Sequence, residues 1–196
     1  MKIVHLIAGI ALSATPSLAE ETTQLDAHEH GVGQLNIAFD ENKVAMELHA
    51  PGADIVGFEY GAKSDVDLAA IDAALQTLSD PLGLFLLPEA ASCIVITAHA
   101  KLESEDSDHD DHDEEGHDDH DEEGHDDHDE APGHTEFHAE YLLECANLTE
   151  MSAITFSYFE IFPNALELEV QVISDKGATA FEIERDVAKL DLRGIF

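Results

Sequence analysis

Positively charged residues are scarce in this sequence of 196 residues. Only 8 Lys or Arg stand against 44 Asp or Glu, which gives a formal net charge of −36. A chain with this balance is repelled by nucleic-acid phosphate and by anionic membrane surfaces, so neither is an expected partner. Trp is absent and only two Cys occur, yet 44% of the residues are apolar. The chain can therefore bury a core, and its acidity must be concentrated in one part.

Long apolar runs are equally rare. The run at the N-terminus follows Lys2 and covers residues 3–12, and Ser17-Leu18-Ala19 places small residues at the −3 and −1 positions of a cleavage site. A membrane span needs about 20 apolar residues, so this run is too short to be an anchor. We therefore predict a signal peptide over residues 1–19, cleaved after Ala19, and an exported mature chain that is not inserted in the membrane.

The acidity is concentrated between Glu103 and Glu130, where 18 of 28 residues are acidic and six are His. The octapeptide DHDEEGHD at residues 111–118 recurs at 119–126, a period that matches neither a helix nor a heptad. Since the stretch has no large apolar residue, it cannot form a core. We predict that residues 102–134 form a disordered loop, which interrupts a single folded domain over residues 20–196.

The rest of the chain is patterned mainly as β-strands. A helix is predicted from Ser64, with Asp67 completing a shortened capping box, to the Asp80-Pro81 stop. Alternating apolar residues predict strands over residues 34–39, 44–49, 92–98, 136–144, 153–159, 166–173 and 178–183, with 191–196 as a candidate short final strand. The predicted fold class is α+β: a mainly antiparallel sheet, in one or two layers, with one principal helix.

Cys93 and Cys145 lie in the strands that lead into and out of the loop. In an exported protein a disulfide is the economical interpretation, although two thiolate metal ligands are the alternative. If the two residues face each other in an unbroken ladder, His99 lies opposite Ala139. A bulge or a contact between two layers is the alternative to this direct pairing. The disulfide would clamp the base of the loop.

The 13 His residues are the unusual component of the sequence. Six of them alternate in spacings of three and five within the repeats, each flanked by carboxylates: His109, His112, His117, His120, His125 and His128. Neutral imidazole suits zinc, copper and nickel, and carboxylates add charge neutralisation. An acidic spacer would not need these His residues, so we expect several labile metal sites, with zinc the expected ion and copper or nickel open alternatives.

A second group of His residues lies outside the repeats. His28 and His30 straddle Glu29 at the entry to the first strand, where alternate residues face the same side. They are the candidates for a structured metal site, and His49, His134 and His138 are the nearest residues that could complete it. For His49, His99 and His138, a solvated side chain at a strand end is the alternative interpretation.

Several of these segments together resemble a known family. Residues 27–36 (AHEHGVGQLN), 50–59 (APGADIVGFE) and 161–163 (IFP), with Cys93 and Cys145 around the His-rich insert, resemble the ZrgA-like periplasmic zinc-uptake proteins of Gram-negative bacteria. The resemblance implies a zinc-binding accessory of an ABC-type uptake system. Such proteins commonly carry His after Gly-Phe-Glu, whereas this chain has Tyr60, and a phenol is a poor zinc ligand at neutral pH.

The function expected from the sequence is therefore periplasmic zinc binding, in which the chain captures, buffers or hands over zinc to a receptor of the transporter. A metallohydrolase with zinc at His28 and His30 is one alternative, but the catalytic motifs HExxH, GxSxG and CxxC are missing, so no enzyme is expected. A metal-modulated adhesin or sensor is the other. We expect a monomer when zinc is absent, because the net charge opposes self-association.

Overall fold

The computed structural model describes residues 29–104 and 133–195. The helices and strands are, in chain order, β1 (Val32–Asp40), β2 (Lys43–Pro51), α1 (Gly52–Ile55), α2 (Asp65–Leu78), α3 (Pro81–Leu84), β3 (Phe85–Leu86), β4 (Cys93–Ser104), β5 (Thr135–Cys145), β6 (Ala153–Phe156), α4 (Tyr158–Ile161), β7 (Glu167–Ser174), β8 (Gly177–Glu184) and β9 (Lys189–Asp191). Three short 3₁₀ turns cover Glu89–Ala91, Leu148–Glu150 and Arg185–Val187. The predicted signal peptide and residues 105–132 of the predicted loop lie outside the described residues.

The strands form two sheets. The large sheet has the order β4-β5-β2-β1-β7-β8, and the small sheet has the order β3-β6-β9. Every pair in both sheets is antiparallel except β1 and β7, which run parallel. The predicted class, a mainly antiparallel α+β fold with one principal helix, is therefore confirmed.

One face of the large sheet carries the core. Alternate residues of β1, such as Leu35 and Ile37, are fully buried, and they belong to the same core as buried residues of α2 and the small sheet. The phenol of Tyr141 on β5 donates a 2.8 Å hydrogen bond to the carbonyl of Leu78, the last residue of α2. Because this face is covered, the residues between the buried ones point to the opposite face, which we call the outer face.

The principal helix begins and ends where the sequence predicts. The Ser64 hydroxyl accepts a 3.1 Å hydrogen bond from the Asp67 amide, and α2 runs from Asp65 to Leu78. Asp80 and Pro81 follow as the predicted stop, and Pro81 opens the short helix α3. No helix within residues 29–104 or 133–195 is long and apolar enough to cross a membrane.

Three predicted boundaries were wrong. Strand β4 continues to Ser104 instead of giving way to the loop at residue 102, because Leu102 packs on the core and Ser104 pairs with Thr135. The predicted strand 153–159 ends at Phe156, since Tyr158 and Phe159 are both buried and successive side chains of a strand cannot face the same side. The final strand is Lys189–Asp191 rather than 191–196, and it belongs to the small sheet.

The structure joins Cys93 and Cys145 in a disulfide, as the sequence predicts, and the two residues are direct cross-strand partners with Cα atoms 3.9 Å apart. A bulge between Val95 and Thr97 shifts the register, so His99 lies opposite Glu140 and the predicted pairing with Ala139 was wrong. The disulfide also does not clamp the base of the loop. It closes the end of the β4–β5 pair that lies roughly 30 Å from Ser104 and Thr135, at about 3.3 Å per residue.

Candidate metal centre

Two His residues meet on the outer face of the large sheet. His49 lies between the buried Leu48 and Ala50 on β2, so the pleat turns its imidazole to the outer face. His138 occupies the matching place on β5 and is the direct cross-strand partner of His49. Their ring centroids are 4.2 Å apart, which is close enough for both imidazoles to reach a single ion.

A carboxylate completes this group. Glu136 precedes His138 by two residues on β5 and therefore shares its face. Its Oε2 lies 2.5 Å from His138 Nε2 and 3.5 Å from His49 Nδ1. One ligand atom from each of the three residues lies within 4.8 Å of the other two. We call His49, Glu136 and His138 the Glu136 cluster.

Three further charged side chains border the Glu136 cluster. Glu103 on β4 pairs with Glu136, and its Oε2 lies 3.3 Å from His138 Nε2. Glu47 on β2 places Oε1 3.3 Å from His49 Nε2. Lys101, the cross-strand partner of His138, forms an ion pair with Glu103. The cluster thus has the carboxylate of Glu47 on one side and that of Glu103 on the other, and Glu103 is paired with the ammonium of Lys101.

The carboxylates set the electrostatics of this centre. The pKa of His49 is raised above its ordinary value, mainly by the hydrogen bond with Glu136, although burial opposes the shift. The pKa of Glu103 is lowered, mainly by its hydrogen bond with Lys101. Negative potential at His49 favours any cation there, whether a proton or a metal ion.

The residues present fit a zinc ion. The Nε2 atom of His138 is buried and makes no hydrogen bond of acceptable geometry, although two carboxylate oxygens lie 2.5 and 3.3 Å away. The nitrogen and oxygen atoms of this group lie close enough together for a single cation to bind them. Two imidazoles and one or two carboxylates form a donor set that zinc accepts in tetrahedral sites.

A second group of His and Glu side chains lies at the end of the same strand pair. Glu59 Oε2 is 3.0 Å from His30 Nε2 and 3.1 Å from His134 Nδ1. We call these three residues the Glu59 cluster. Gly52 brings the chain before Glu59 against β5, because a Cβ at this position would overlap the hydroxyl of Thr135. Both imidazoles are exposed, whereas Glu59 Oε1 is buried and has no hydrogen-bond partner.

A buried carboxylate lies behind the Glu59 cluster. Asp54 is only 1% exposed, and its Oδ1 accepts a 2.8 Å hydrogen bond from the amide of Gly31, next to His30. Its Oδ2 is buried without a hydrogen-bond partner. Burial raises the pKa of Asp54 to about 6, although the hydrogen bond from Gly31 opposes the shift.

The predicted ligands are distributed as follows. The structure brings His30 together with His134, and His49 together with His138. His28 lies outside the described residues, and so do the six His residues of the repeats. Ligation by all eleven predicted His residues stays a prediction. Tyr60 stacks its ring on Phe58 at a centroid distance of 4.8 Å, so its ring serves packing in this structure.

Sequence reasoning missed the carboxylates of both clusters. Glu136 and His138 follow the i, i+2 spacing that places residues on one face of a strand, and this spacing could have revealed the pair. Glu103 was assigned to the loop, so its place beside His138 could not be predicted. Glu59 lies in a connection without regular structure, and its distance from His134 depends on the tertiary fold.

The comparisons with known proteins agree with this chemistry. The family model described as "ZrgA family zinc uptake protein" matches residues 27–192. The matched range contains both clusters, both Cys residues and the repeats. None of the curated proteins matches the chain.

Proposed function

The chain belongs to the ZrgA family of zinc uptake proteins, and from this premise we propose that it is an exported zinc-binding accessory protein of an ABC-type uptake system. It captures zinc, buffers it and hands it to a receptor of the transporter, without turning over a substrate. Copper and nickel would compete at nitrogen and oxygen ligands, so zinc selectivity rests on geometry and on which metal is available.

The convergence of His49, Glu136 and His138 is the observation that carries this proposal. All three side chains are held by paired strands of the large sheet, so little ordering is needed when an ion arrives. The cluster is also partly buried, which strengthens the attraction of its carboxylates for a dication. We assign the tighter, structured zinc site to the Glu136 cluster and a more exposed site to the Glu59 cluster.

The repeats add capacity to these structured sites. Residues 105–132 start after Ser104 and end before Gly133, and Ser104 is the cross-strand partner of Thr135. The described residue before this segment, Ser104, therefore lies on the same strand pair as Glu103 and Glu136. We propose that the His residues of the repeats capture zinc at labile sites next to the two clusters, where an ion has a short path to either.

Export is supported by the chemistry of the two cysteines. A disulfide between Cys93 and Cys145 persists in an oxidising compartment and is rare in the cytosol. Together with the predicted signal peptide over residues 1–19, it supports a periplasmic location. We also propose that residues 20–196 form one folded domain, since buried residues of both sheets belong to a single core.

Calorimetric titration of the mature protein, residues 20–196, with zinc tests the proposal. We expect several ions to bind, and one tight site to survive when residues 105–132 are replaced by a short Gly-Ser linker. In the full mature chain, His138→Ala should weaken that tight site by at least about tenfold, as loss of a ligand requires. His99→Ala, an exposed His on β4, is the matched control and should leave it unchanged.

Three results would contradict parts of the proposal. If zinc binds no more tightly than calcium, the repeats act as an acidic spacer and the clusters are not metal sites. If the tight site survives His138→Ala and His49→Ala, it does not lie in the Glu136 cluster. Retention of function in an uptake assay after both substitutions would argue against a role of this site in handing over zinc.

A further inference from the structure

Beside the Glu136 cluster, the charged pair formed by Lys101 and Glu103 has no part in the fold's core. Lys101 is the cross-strand partner of His138, and Glu103 is the partner of Glu136. Strand β4 is the edge of the large sheet, and both residues lie opposite members of the cluster on the neighbouring strand β5. The side chain of Lys101 is 60% exposed and that of Glu103 is 39% exposed, so each is free to change its conformation.

The carboxylate of Glu103 lies between the ammonium of Lys101 and the imidazole of His138. Its Oε1 forms the ion pair with Lys101 Nζ, and its Oε2 lies 3.3 Å from His138 Nε2. The same Nε2 atom lies 2.5 Å from Glu136 Oε2. An ion held by His49, Glu136 and His138 would therefore have a Glu103 oxygen within reach as a fourth protein ligand, which is the number that zinc prefers.

We propose that Glu103 is the fourth ligand of the structured zinc site and that Lys101 is a built-in competitor, which holds this carboxylate until zinc displaces the ammonium. This inference rests on the proposed function and adds a release mechanism to it. The ammonium occupies Glu103 in the zinc-free protein and recaptures it when the ion leaves.

The charges of the site support this role. Glu103 and Glu136 would together balance the charge of one zinc ion, so the four ligands would need no ammonium once zinc is bound, even with Glu47 3.3 Å from His49. In the zinc-free centre the same carboxylates would repel each other, and the ammonium offsets one of them. Strands β4 and β5 contain no other Lys or Arg, so within this strand pair Lys101 alone can do so.

A protein that hands over its cargo benefits from such a competitor. Without Lys101, no ion pair would have to break before Glu103 binds zinc, so zinc would bind more tightly and dissociate more slowly. With Lys101, part of the affinity is given up, and the ammonium replaces the departing zinc at the carboxylate. The effect on affinity is limited by the exposure of the ion pair, because water and salt weaken exposed pairs.

Zinc affinity and dissociation rate, measured in the full mature protein, test this proposal. The tightest site is followed at less than one zinc per chain by competition with a chromophoric chelator, and release is followed after mixing with excess chelator. We expect Lys101→Met to tighten zinc binding by about fivefold and to slow release, which is the upper range for an exposed pair. Glu103→Gln should weaken binding by at least about tenfold.

A double-mutant cycle separates a specific competitor from a general charge effect. If Lys101 acts through Glu103, the Lys101→Met substitution changes the affinity by less than about twofold in the Glu103→Gln protein. Lys189→Met, which makes the same change of net charge on β9 of the small sheet, is the matched control and should leave affinity and release unchanged.

The outcomes distinguish the two levels of the proposal. If His138→Ala abolishes tight binding while Lys101→Met and Glu103→Gln have no effect, the structured site stands and the competitor is refuted. If all three substitutions leave tight binding intact, the assignment of the structured site itself is wrong. An effect of Lys101→Met that persists in the Glu103→Gln background would also refute the role of Lys101 as a competitor. Lys101 would then act on zinc only through the long-range field of its charge.

Discussion

At the scale of single residues, the notable groups of this protein are buried carboxylates. Asp54 and Glu59 each bury an oxygen without a hydrogen-bond partner, and Glu136 crowds two imidazoles. Such groups cost stability in the absence of a cation. They are therefore expected to lower the stability of the zinc-free protein and to gain most when a metal ion binds.

Asp54 gives the first prediction. Its folded-state pKa of about 6 lies above the ordinary value of 3.8. Between about pH 4 and pH 6, the carboxyl is therefore protonated in the folded protein but ionised in the unfolded chain. The free energy of unfolding consequently falls as the pH rises through this range. Asp54→Asn removes this cost and keeps an acceptor for the Gly31 amide. In chelator at pH 7.5, it should raise the free energy of unfolding by up to about 3 kcal/mol.

Urea denaturation checks this at two pH values. At pH 4.5 the carboxyl is protonated in the folded state, so most of the gain from Asp54→Asn should vanish. Asp72→Asn, an exposed carboxylate on α2, is the control that makes the same charge change without a burial cost. A loss of stability in Asp54→Asn at pH 7.5 would show that the ionised carboxylate contributes a favourable interaction instead.

The second prediction concerns zinc release by acid. The pKa of His49 is raised above 6.5 by Glu136, so as the pH falls a proton occupies this imidazole earlier than it would a free one. Only the neutral ring binds a metal, and we therefore expect zinc affinity of the Glu136 cluster to fall progressively as the pH drops, starting at a higher pH than for an unshifted imidazole. Chelator competition between pH 8 and 5 measures this fall.

Calcium gives the internal comparison for the acid experiment. Calcium binds to oxygen ligands such as carboxylates and not to imidazole. An exposed carboxylate is protonated only near pH 4, so calcium binding should change little between pH 7 and about 5.5. Zinc affinity that stayed constant over the same range would contradict His ligation in the tight site.

At the scale of elements, the β4–β5 pair has the disulfide at one end and residues of the Glu136 cluster at the other. Cys93 pairs with Cys145, whereas Glu103 pairs with Glu136 and Ser104 with Thr135. The pair is long because β4 continues past Ala98, the end predicted from the sequence. Because of this length, Glu103, Glu136 and Ser104 lie at the opposite end of the strand pair from the disulfide.

The third prediction separates these two ends. Reduction of the disulfide, or replacement of Cys93 and Cys145 by Ser, should lower the free energy of unfolding by roughly 4 kcal/mol in the chain-entropy model. Zinc affinity of the Glu136 cluster should change by less than about threefold, because the site is held by the ladders of β2, β4 and β5 at the far end. Denaturation and chelator competition on the same variant measure both quantities.

A large loss of zinc affinity at 25 °C, in a variant shown to be folded by its near-ultraviolet circular dichroism, would contradict this separation. It would mean that the bridge sets the register at the Glu136 cluster in spite of the bulge between Val95 and Thr97.

At the scale of the whole molecule, the net charge of −36 dominates the behaviour in solution. The charge attracts dications from a distance and repels a second copy of the chain. The fourth prediction is that the zinc-free mature protein is a monomer by light scattering at low ionic strength. Added zinc should neutralise carboxylates and weaken this repulsion, and a stable dimer in chelator would contradict the prediction.

Much of the fold was determined by local patterns. The capped helix α2, the β1–β2 hairpin and the β7–β8 hairpin follow from apolar alternation, turn residues and a capping Ser, all of which act over a few positions. The wrong boundaries lie where tertiary contacts override these patterns. Leu102 is held in β4 by the core, and Phe159 is buried on a helical turn rather than a strand.

The site divides in the same way. The sequence by itself determined that the chain is strongly acidic and rich in His, and it predicted metal-ligand chemistry and a Cys93–Cys145 disulfide, because composition alone carries these signals. Only the tertiary structure decided which residues meet. The pairing of β2 with β5 and of β4 with β5 joins His49, Glu103 and His138 across distant parts of the chain, since strand register depends on the whole buried face of the sheet.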